Sequence, residues 1–554
     1  MGIICGGHVV AKYLKEVEGI DTVFSLSGGH IDRIYDGLFE YHVRLIDVRH
    51  EQSAAMMAHS WSIYKNKPGV CLVTAGPGFT NAITGIVNAR MENAPIVVLC
   101  GTSPRRDWEK GALQDMDQKA MIRSVVKWQA TCHDIKRIPE YLSTAFRIAS
   151  SGRPGPVFLE LPPDILNVSV EEAEIPKVNK GTTVYRFKPE SSQLKEAAEL
   201  ISQAKNPIVL GGSGCKGCEK ELAEFIDKTG CPFMLLNTGR GTIPDSHPLS
   251  LWQGGLMSAT VAMSMADLVI ILGVRLDWVL QQGQYFAQAK TVRIDIEPAE
   301  INRNRHSDIG LVGDMATTLD ELNSYLTKTD RSEWALLLKE SYLPMIQEEL
   351  DARKNATDPI HPLRLVSQVK DTIGTDALYF ADGGDSCYFG VVGAEANEGA
   401  SVIGTAGGLF GCLGTGIPFG IGAKAARPDK TVVIFSGDGS FGLNTMEFDT
   451  AVRHNLPFIS IVINDQSWGM IRHGQTLSYG GERVIGSTLG VVHYEKVAEG
   501  LGGYGEIVEK EADIVPAVKR ALESGKPSCI NVLTDISAMS PATLIFVESL
   551  KMEV

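Results

Sequence analysis

The sequence predicts an α/β protein built from three doubly wound parallel-sheet domains, and three observations carry that prediction. Short β-branched runs alternate with longer helix-patterned stretches: "RLIDV" then "HEQSAAMMAHSWSIYK", "GVCLVTA" then "TNAITGIVNARMEN", then "PIVVLCG". Such alternation marks parallel sheets joined by crossover helices. The rhythm restarts twice, at "NPIVLGGSG" (206–214) and at "ALYFADGGD" (377–385). Finally, 554 residues exceed what one core organises and imply about three domains of roughly 150–200 residues.

Taken in order, the first block covers 1–168 and ends in the strand-like "GRPGPVFLELPPDIL" (152–166). A turn-rich, charged connector (166–192) precedes a middle block, 190–328, whose strands are "NPIVLGGSG", "FMLLN", "LVIILG" and "TVRIDIEP". A second connector (326–360) leads to the third block, 358–536, with "TVVIFSGDGS", "FISIVIND" and "SCINVLTD", and a tail at 537–554. The chain has no repeat of 20–50 residues and no low-complexity tract.

Composition excludes several classes of partner. A net charge of −14 disfavours nucleic acid and anionic membranes. The longest apolar runs, such as "ADLVIILGV" (266–274), are strand-length. The start, MGIICGGHVV, lacks a secretory pattern, and Gly6 stands where myristoylation wants Ser or Thr. The ten cysteines sit mostly in apolar runs and read as reduced core thiols, consistent with a cytoplasmic protein. Cys215 and Cys218 form a single CxxC, which without a second pair reads as structural thiols at a helix start rather than a zinc site.

The most informative segment is "SGDGSFGLNTMEFDTAVRHNLPFISIVINDQSWGM" (436–470). A strand ends at Ser436 and Gly437–Ser440 turns sharply into a helix. A further helix over about Thr445–His454 leads to a strand ending in Asn464-Asp465. Alone, GDG is a β-turn and ND a helix cap. At this spacing a parallel sheet brings Asp438 and Asp465 to one edge, two oxygen ligands beside a helix N-terminus, which suits magnesium bridging a diphosphate.

This segment resembles the thiamine diphosphate signature, GDG followed some two dozen residues later by paired Asn; here 24 residues separate Gly439 from Asn464, and Asp465 replaces the second Asn. The resemblance, to the acetolactate synthase-like superfamily, covers nearly the whole chain. It implies a pyrimidine-binding first domain, a Rossmann-like middle domain and a diphosphate-binding third. It assigns Mg²⁺ to Asp438, Asp465 and the Ser467 carbonyl, and the diphosphate to Gly439, Ser440, Gly469 and Met470. "DGGDS" (382–386), with Gly384, resembles the loop closing over that diphosphate, and Asp385 departs from the pattern by adding a negative charge beside an anion. "GGLFGCLGTGIPFG" (407–420) resembles the loop that sets Leu413 between the two cofactor rings and the Gly411 carbonyl at the 4′-amino group.

"RHEQ" (49–52) and "TAGPGFTN" (74–81) resemble the family's pyrimidine site. By that resemblance Glu51 is the catalytic carboxylate, serving the cofactor of a neighbouring subunit in a homodimer or homotetramer. An apolar interface favours the protonated carboxyl, so such a group can share a proton with a ring nitrogen; read alone, Glu51 is a helix-start acid favoured by the macrodipole.

Within the superfamily, "GGHIDRIYDGL" (28–38), "GALQDMDQKAMIRSVVKW" (111–128), "NDQSWGMIRHGQ" (464–475) and "CINVLTDISAMSP" (529–541) look most like benzaldehyde lyase and 2-hydroxyacyl-CoA lyase. That likeness puts His30 and Gln114 beside Glu51 on the substrate side. Imidazole can take a hydroxyl proton as a C–C bond breaks, and an amide can donate to the developing alkoxide. In the pocket segment "RHGQ" replaces a Trp-bearing stretch, and Gly474 leaves room. The expected function is therefore a lyase or carboligase of 2-hydroxy carbonyl compounds (2-hydroxyacyl-CoA or acyloin) working through an acyl-carbanion equivalent. The alternative is acetolactate synthase-type joining of 2-oxo acids, or their decarboxylation. Glu51 and two metal carboxylates argue against a regulatory remnant without turnover. "VLGGSGCKGCEKE" (209–221) lacks a clean GxGxxG, while "GVRLDWVLQQG" (273–283) and "RIDIEPAEINRN" (293–304) resemble segments that meet FAD, ADP or CoA elsewhere in the superfamily.

Overall fold

The computed structural model describes residues 2–183, 185–406 and 408–550. Among the described residues the strands run, in chain order, β1 (Ile3–Cys5), β2 (Thr22–Ser25), β3 (Arg44–Asp47), β4 (Gly69–Val73), β5 (Ile96–Gly101), β6 (Gln129–Thr131), β7 (Val157–Leu161), β8 (Ser169–Glu171), β9 (Pro207–Gly211), β10 (Phe233–Leu235), β11 (Leu268–Leu272), β12 (Lys290–Asp295), β13 (Ile309–Val312), β14 (Ala377–Asp382), β15 (Val402–Gly404), β16 (Thr431–Gly437), β17 (Ile459–Asn464), β18 (Tyr504–Val508) and β19 (Ser528–Leu533). They make three parallel sheets, ordered β3-β2-β4-β5-β7-β6, β10-β9-β11-β12-β13 and β15-β14-β16-β17-β19-β18, plus an antiparallel pair β1-β8. The central strands are Val/Ile/Leu-rich and buried on both faces, as crossover helices require.

In each sheet the first strand in the chain has later strands on both sides, which makes a point where strand order reverses. Ligand crevices of open α/β sheets lie there, outside the strands' carboxyl ends. In the first sheet that point lies between the loops after β2 and β4, and in the third between those after β14 and β16. In the middle sheet it lies between the loops after β9 and β11.

At the middle crevice two turns approach backbone to backbone. A Cβ on Gly214 would stand 2.8 Å from the Gly273 Cα, and one on Gly212 would stand 2.7 Å from the Gly273 carbonyl oxygen. The glycines of "GGSG" thus let two turns touch. Cys215 and Cys218 are buried just ahead of the helix Glu219–Thr229, as structural thiols.

The first and third domains share one apolar core. The helix Glu51–Lys65 packs on Gly416–Ala426 so closely that a Cβ on Gly422 would meet the Met57 carbonyl oxygen at 2.4 Å. Ser60 Oγ donates to the Phe419 carbonyl at 2.7 Å across the same seam. Among the described residues no helix is long and apolar enough to cross a membrane.

Candidate active site

The third sheet's reversal point opens into a cavity of about 160 Å³. Its walls carry Gly384, Gly411, Leu413, Asp438, Gly439, Ser440, Asp465, Ser467, Gly469 and Met470, all the sequence-predicted diphosphate and metal residues. Three helices begin at it: Asp385–Gly393, Asp438–Leu443 and Gly469–Tyr479. Their unpaired N–H groups and positive dipole ends favour an anion.

Small residues make the approach possible. Gly383 has φ +109, and a Cβ there would lie 2.2 Å from Ser386 Oγ. A Cβ on Gly439 would strike the Trp468 ring at 2.6 Å. Gly411, at φ +61, would meet nothing within 4 Å, so its backbone faces open space beside Leu413. Gly407, at the head of that loop's motif, lies outside the described residues.

Asp438 follows β16 and Asp465 follows β17, adjacent parallel strands. Asp438 is buried, its Oδ1 accepts from the Gly439 N–H at 2.9 Å, and its Oδ2 has no partner. Burial first, then the neighbouring Asp465 charge, pushes its pKa up to about 8; burial also raises Asp465. Ser467 N donates to Asp465 Oδ1 at 3.1 Å, bending the chain back toward the pair. Two crowded carboxylates with an orphaned oxygen beside three helix N-termini fit a divalent cation carrying a diphosphate.

Asp385, the unexpected acid, turns away from that anion site. Its Oδ1 accepts from Ser540 N (3.2 Å), Ser540 Oγ (2.5 Å) and Thr543 Oγ1 (2.6 Å), and its Oδ2 lies 2.8 Å from His473 Nδ1. His473 Nε2 donates to the Ile536 carbonyl at 2.9 Å; burial lowers the ring's pKa, but Asp385 and the Ile536 carbonyl outweigh it, so the net shift is upward. Asp385 thus fastens the C-terminal segment to the helix that starts at Gly469, and Asp535 and Ala538 of that segment wall the cavity. Gly474 does not leave room as expected: a Cβ there would meet Val547 of the C-terminal helix Pro541–Leu550 at 3.3 Å. The helix expected at about Thr445–His454 runs Glu447–Arg453, because Asn444 Nδ2 ties the preceding turn to the Gly414 carbonyl at 2.6 Å.

Glu51, His30 and Gln114 gather at the first sheet's reversal point. Glu51 is 5% exposed and its Oε2 accepts from Asn81 Nδ2 at 3.0 Å. A Cβ on Gly78 would lie 2.7 Å from the Thr74 methyl and 3.4 Å from Glu51 Oε1. His30 Nδ1 is 3.3 Å from Thr74 Oγ1, and burial lowers its pKa against the opposing Leu113 backbone. Gln114 holds φ +61, packs where a Gly76 Cβ would be, and has a buried Oε1 with no partner. Sequence reasoning missed Asn81 and Gln118, whose Oε1 accepts from Gly76 N at 3.0 Å; both lie in motifs already singled out. None of Glu51, His30 and Gln114 lines the third-domain cavity.

Three family models match the chain: thiamine pyrophosphate enzyme, N-terminal TPP binding domain (4–121), central domain (194–322) and C-terminal TPP binding domain (383–532). The acetolactate synthase large subunit IlvG of Mycobacterium tuberculosis is 33% identical over 97% of this chain and 96% of its own length. The large subunit IlvB1 of the same species is 31% identical over 94% and 86%. The acetolactate synthase isozyme 1 large subunit of Escherichia coli is 29% identical over 96% and 94%.

Proposed function

The chain belongs to the thiamine pyrophosphate enzymes, and from that premise we propose that it is a carboligase of the acetolactate synthase type, joining 2-oxo acids such as pyruvate. The observation carrying this reading is that relatives bearing that name match almost end to end. It displaces the preference for a lyase drawn from short motifs alone. Bound thiamine diphosphate would supply a nucleophilic carbon able to stabilise negative charge on a substrate's carbonyl carbon.

The chain's own groups have matching tasks. Asp438, Asp465 and the Ser467 carbonyl would hold Mg²⁺. The helix starts at Gly439–Ser440 and Gly469–Met470, with Gly384, would take the diphosphate. Leu413 and Gly411 would seat the rings. Glu51, fixed by Asn81, would exchange a proton with the pyrimidine nitrogen. Because none of the first-domain groups reaches the cavity of its own chain, we assign Glu51 to the cavity of a second copy. Exposed Leu409, Phe410, Leu443 and Met446 near that cavity support such an interface. The buried thiols support a cytoplasmic setting.

One observation favours cleavage of 2-hydroxy carbonyl compounds instead: His30, its pKa lowered by burial, and Gln114, whose Nε2–H groups can donate, stand by Thr74 and Gly76 in the turn that also packs on Glu51. There His30 would accept the substrate hydroxyl proton and Gln114 would hydrogen-bond the developing alkoxide. Incubation with pyruvate, benzoin and a 2-hydroxyacyl-CoA decides. Acetolactate from pyruvate alone sustains the carboligase reading; its absence, with aldehyde from the other two, replaces it by the lyase. His30→Ala should cripple cleavage and leave cofactor binding intact.

A further inference from the structure

Glu51 opens its helix directly after two residues whose backbone is held by the third domain. Arg49 N donates to Glu447 Oε1 and Oε2 at 3.1 and 3.3 Å, and His50 N donates to Oε1 at 3.1 Å. Thr450 Oγ1 donates to Oε2 at 2.6 Å. Glu447 is 1% exposed; burial raises its pKa, and the hydrogen bonds from Thr450, Arg49 and His50 oppose that rise by favouring the carboxylate. These are charge-assisted bonds at a helix's positive end, the strong kind.

The same short helix grips the strand end nearby. Arg453 Nη1 and Nη2 donate to Asp47 Oδ2 and to its carbonyl at 2.6 and 2.8 Å, and His454 Nε2 lies 2.7 Å from Asp47 Oδ1. Ser53 Oγ donates to Asn444 Oδ1 at 3.3 Å. The domains are therefore docked by several contacts, of which only Glu447 addresses the two amides immediately before Glu51.

We propose that Glu447 is a positioning residue for Glu51: by fixing the Arg49 and His50 amides it sets where the Glu51 carboxylate projects. The proposal rests on Glu51 being the proton-exchanging carboxylate. Glutamine at 447 keeps the shape but offers one acceptor oxygen, and its NH₂ would face a backbone N–H. The Asp47–Arg453 clamp remains, so the loop should shift without the domains parting.

The test compares Glu447→Gln, Thr450→Val and Glu51→Gln with the wild type, on whichever substrate above is turned over. For Glu447→Gln, kcat should fall about 30–100-fold, with KM and the cofactor dissociation constant within about twofold, the signature of a misplaced catalytic group. In cofactor-free protein, amide hydrogen exchange in peptides containing Arg49 and His50 should quicken at least about tenfold, and that over 438–443 should not change. Thr450→Val should move both readouts the same way by less, and decides the matter if Glu447→Gln does not fold. Unchanged exchange with kcat within twofold of wild type overturns the proposal, as does a loss confined to KM or cofactor affinity. Wild-type turnover by Glu51→Gln would instead remove Glu51 from the chemistry, while the exchange data still judge the brace.

Discussion

Asp438→Asn tests the carboxylate pair in the metal-free protein. In wild type the Asp438 pKa rises from 3.8 to about 8. A group whose folded pKa is raised keeps its proton when the unfolded chain has released it. Folding stability therefore falls as pH climbs from about 4 and levels off above about 8. A displacement of about four pH units at roughly 1.36 kcal/mol each sets a ceiling of about 5–6 kcal/mol, and water entry with sharing of the proton brings the expectation to about 2–3 kcal/mol. Asparagine removes the titration. Metal-free Asp438→Asn should thus melt about 5–10 °C above wild type at pH 8.5, with a much smaller gain at pH 5. Differential scanning fluorimetry after chelation reads this directly. Adding Mg²⁺ with thiamine diphosphate should reverse the order, because only wild type binds them tightly. A variant melting below wild type at pH 8.5, or a wild type indifferent to pH, would refute the argument.

Three further outcomes follow from the same geometry. Gly383→Ala puts a Cβ at φ +109 and 2.2 Å from Ser386 Oγ; about 1–3 kcal/mol of strain should weaken cofactor binding about 10–100-fold in a tryptophan-quenching titration. Asp385→Asn leaves one acceptor oxygen, so either the bonds to Ser540 and Thr543 or that to His473 are lost, and limited proteolysis within 537–550 should accelerate. In wild type the raised His473 pKa stabilises this fastening most at low pH, so proteolysis should quicken as pH rises through that pKa. Gly474→Trp has to expel Val547, 3.3 Å from the new Cβ; overpacking should cost about 1–3 kcal/mol, read as a lower melting temperature.

What the sequence revealed follows from how far apart the cooperating residues lie. Asp438 and Asp465 were legible because each follows a strand of one parallel pair, and parallel pairing carries strand-end residues to one edge. His30 and Glu51 were legible for the same reason at the first sheet. Asp385 looked like an acid misplaced beside an anion because its partners Ser540 and Thr543 lie 155 and 158 residues away, and nothing local to either says that it meets Asp385. Val547 hides the free space at Gly474 in the same way. The middle "GGSG" lacks a clean GxGxxG, and its glycines signal close approach without saying to what; here it is to Gly273. Glu447 sits in a helix whose local pattern says only that one face is buried, and its partners are backbone amides of another domain.

Glu51, His30 and Gln114 stand at the first sheet's reversal point, the cavity opens at the third sheet's, and none of the three residues lines it. The proposal that a second copy completes each site has a consequence that an intrachain site cannot share. Glu51→Gln inactivates the first-domain half and Asp438→Asn the third-domain half, so each homo-oligomer should be inactive. When differently tagged chains are co-expressed, a mixed dimer contains one site with both lesions and one with neither. Random pairing makes about half the dimers mixed, each with one intact site of two, so activity should return to roughly a quarter of wild type. Purification through both tags isolates the mixed dimer and should raise that to about half. If Glu51 served its own chain's cavity, every site in the mixture would carry one lesion and nothing would return; an inactive doubly tagged species would therefore place Glu51 and Asp438 in the same chain's site.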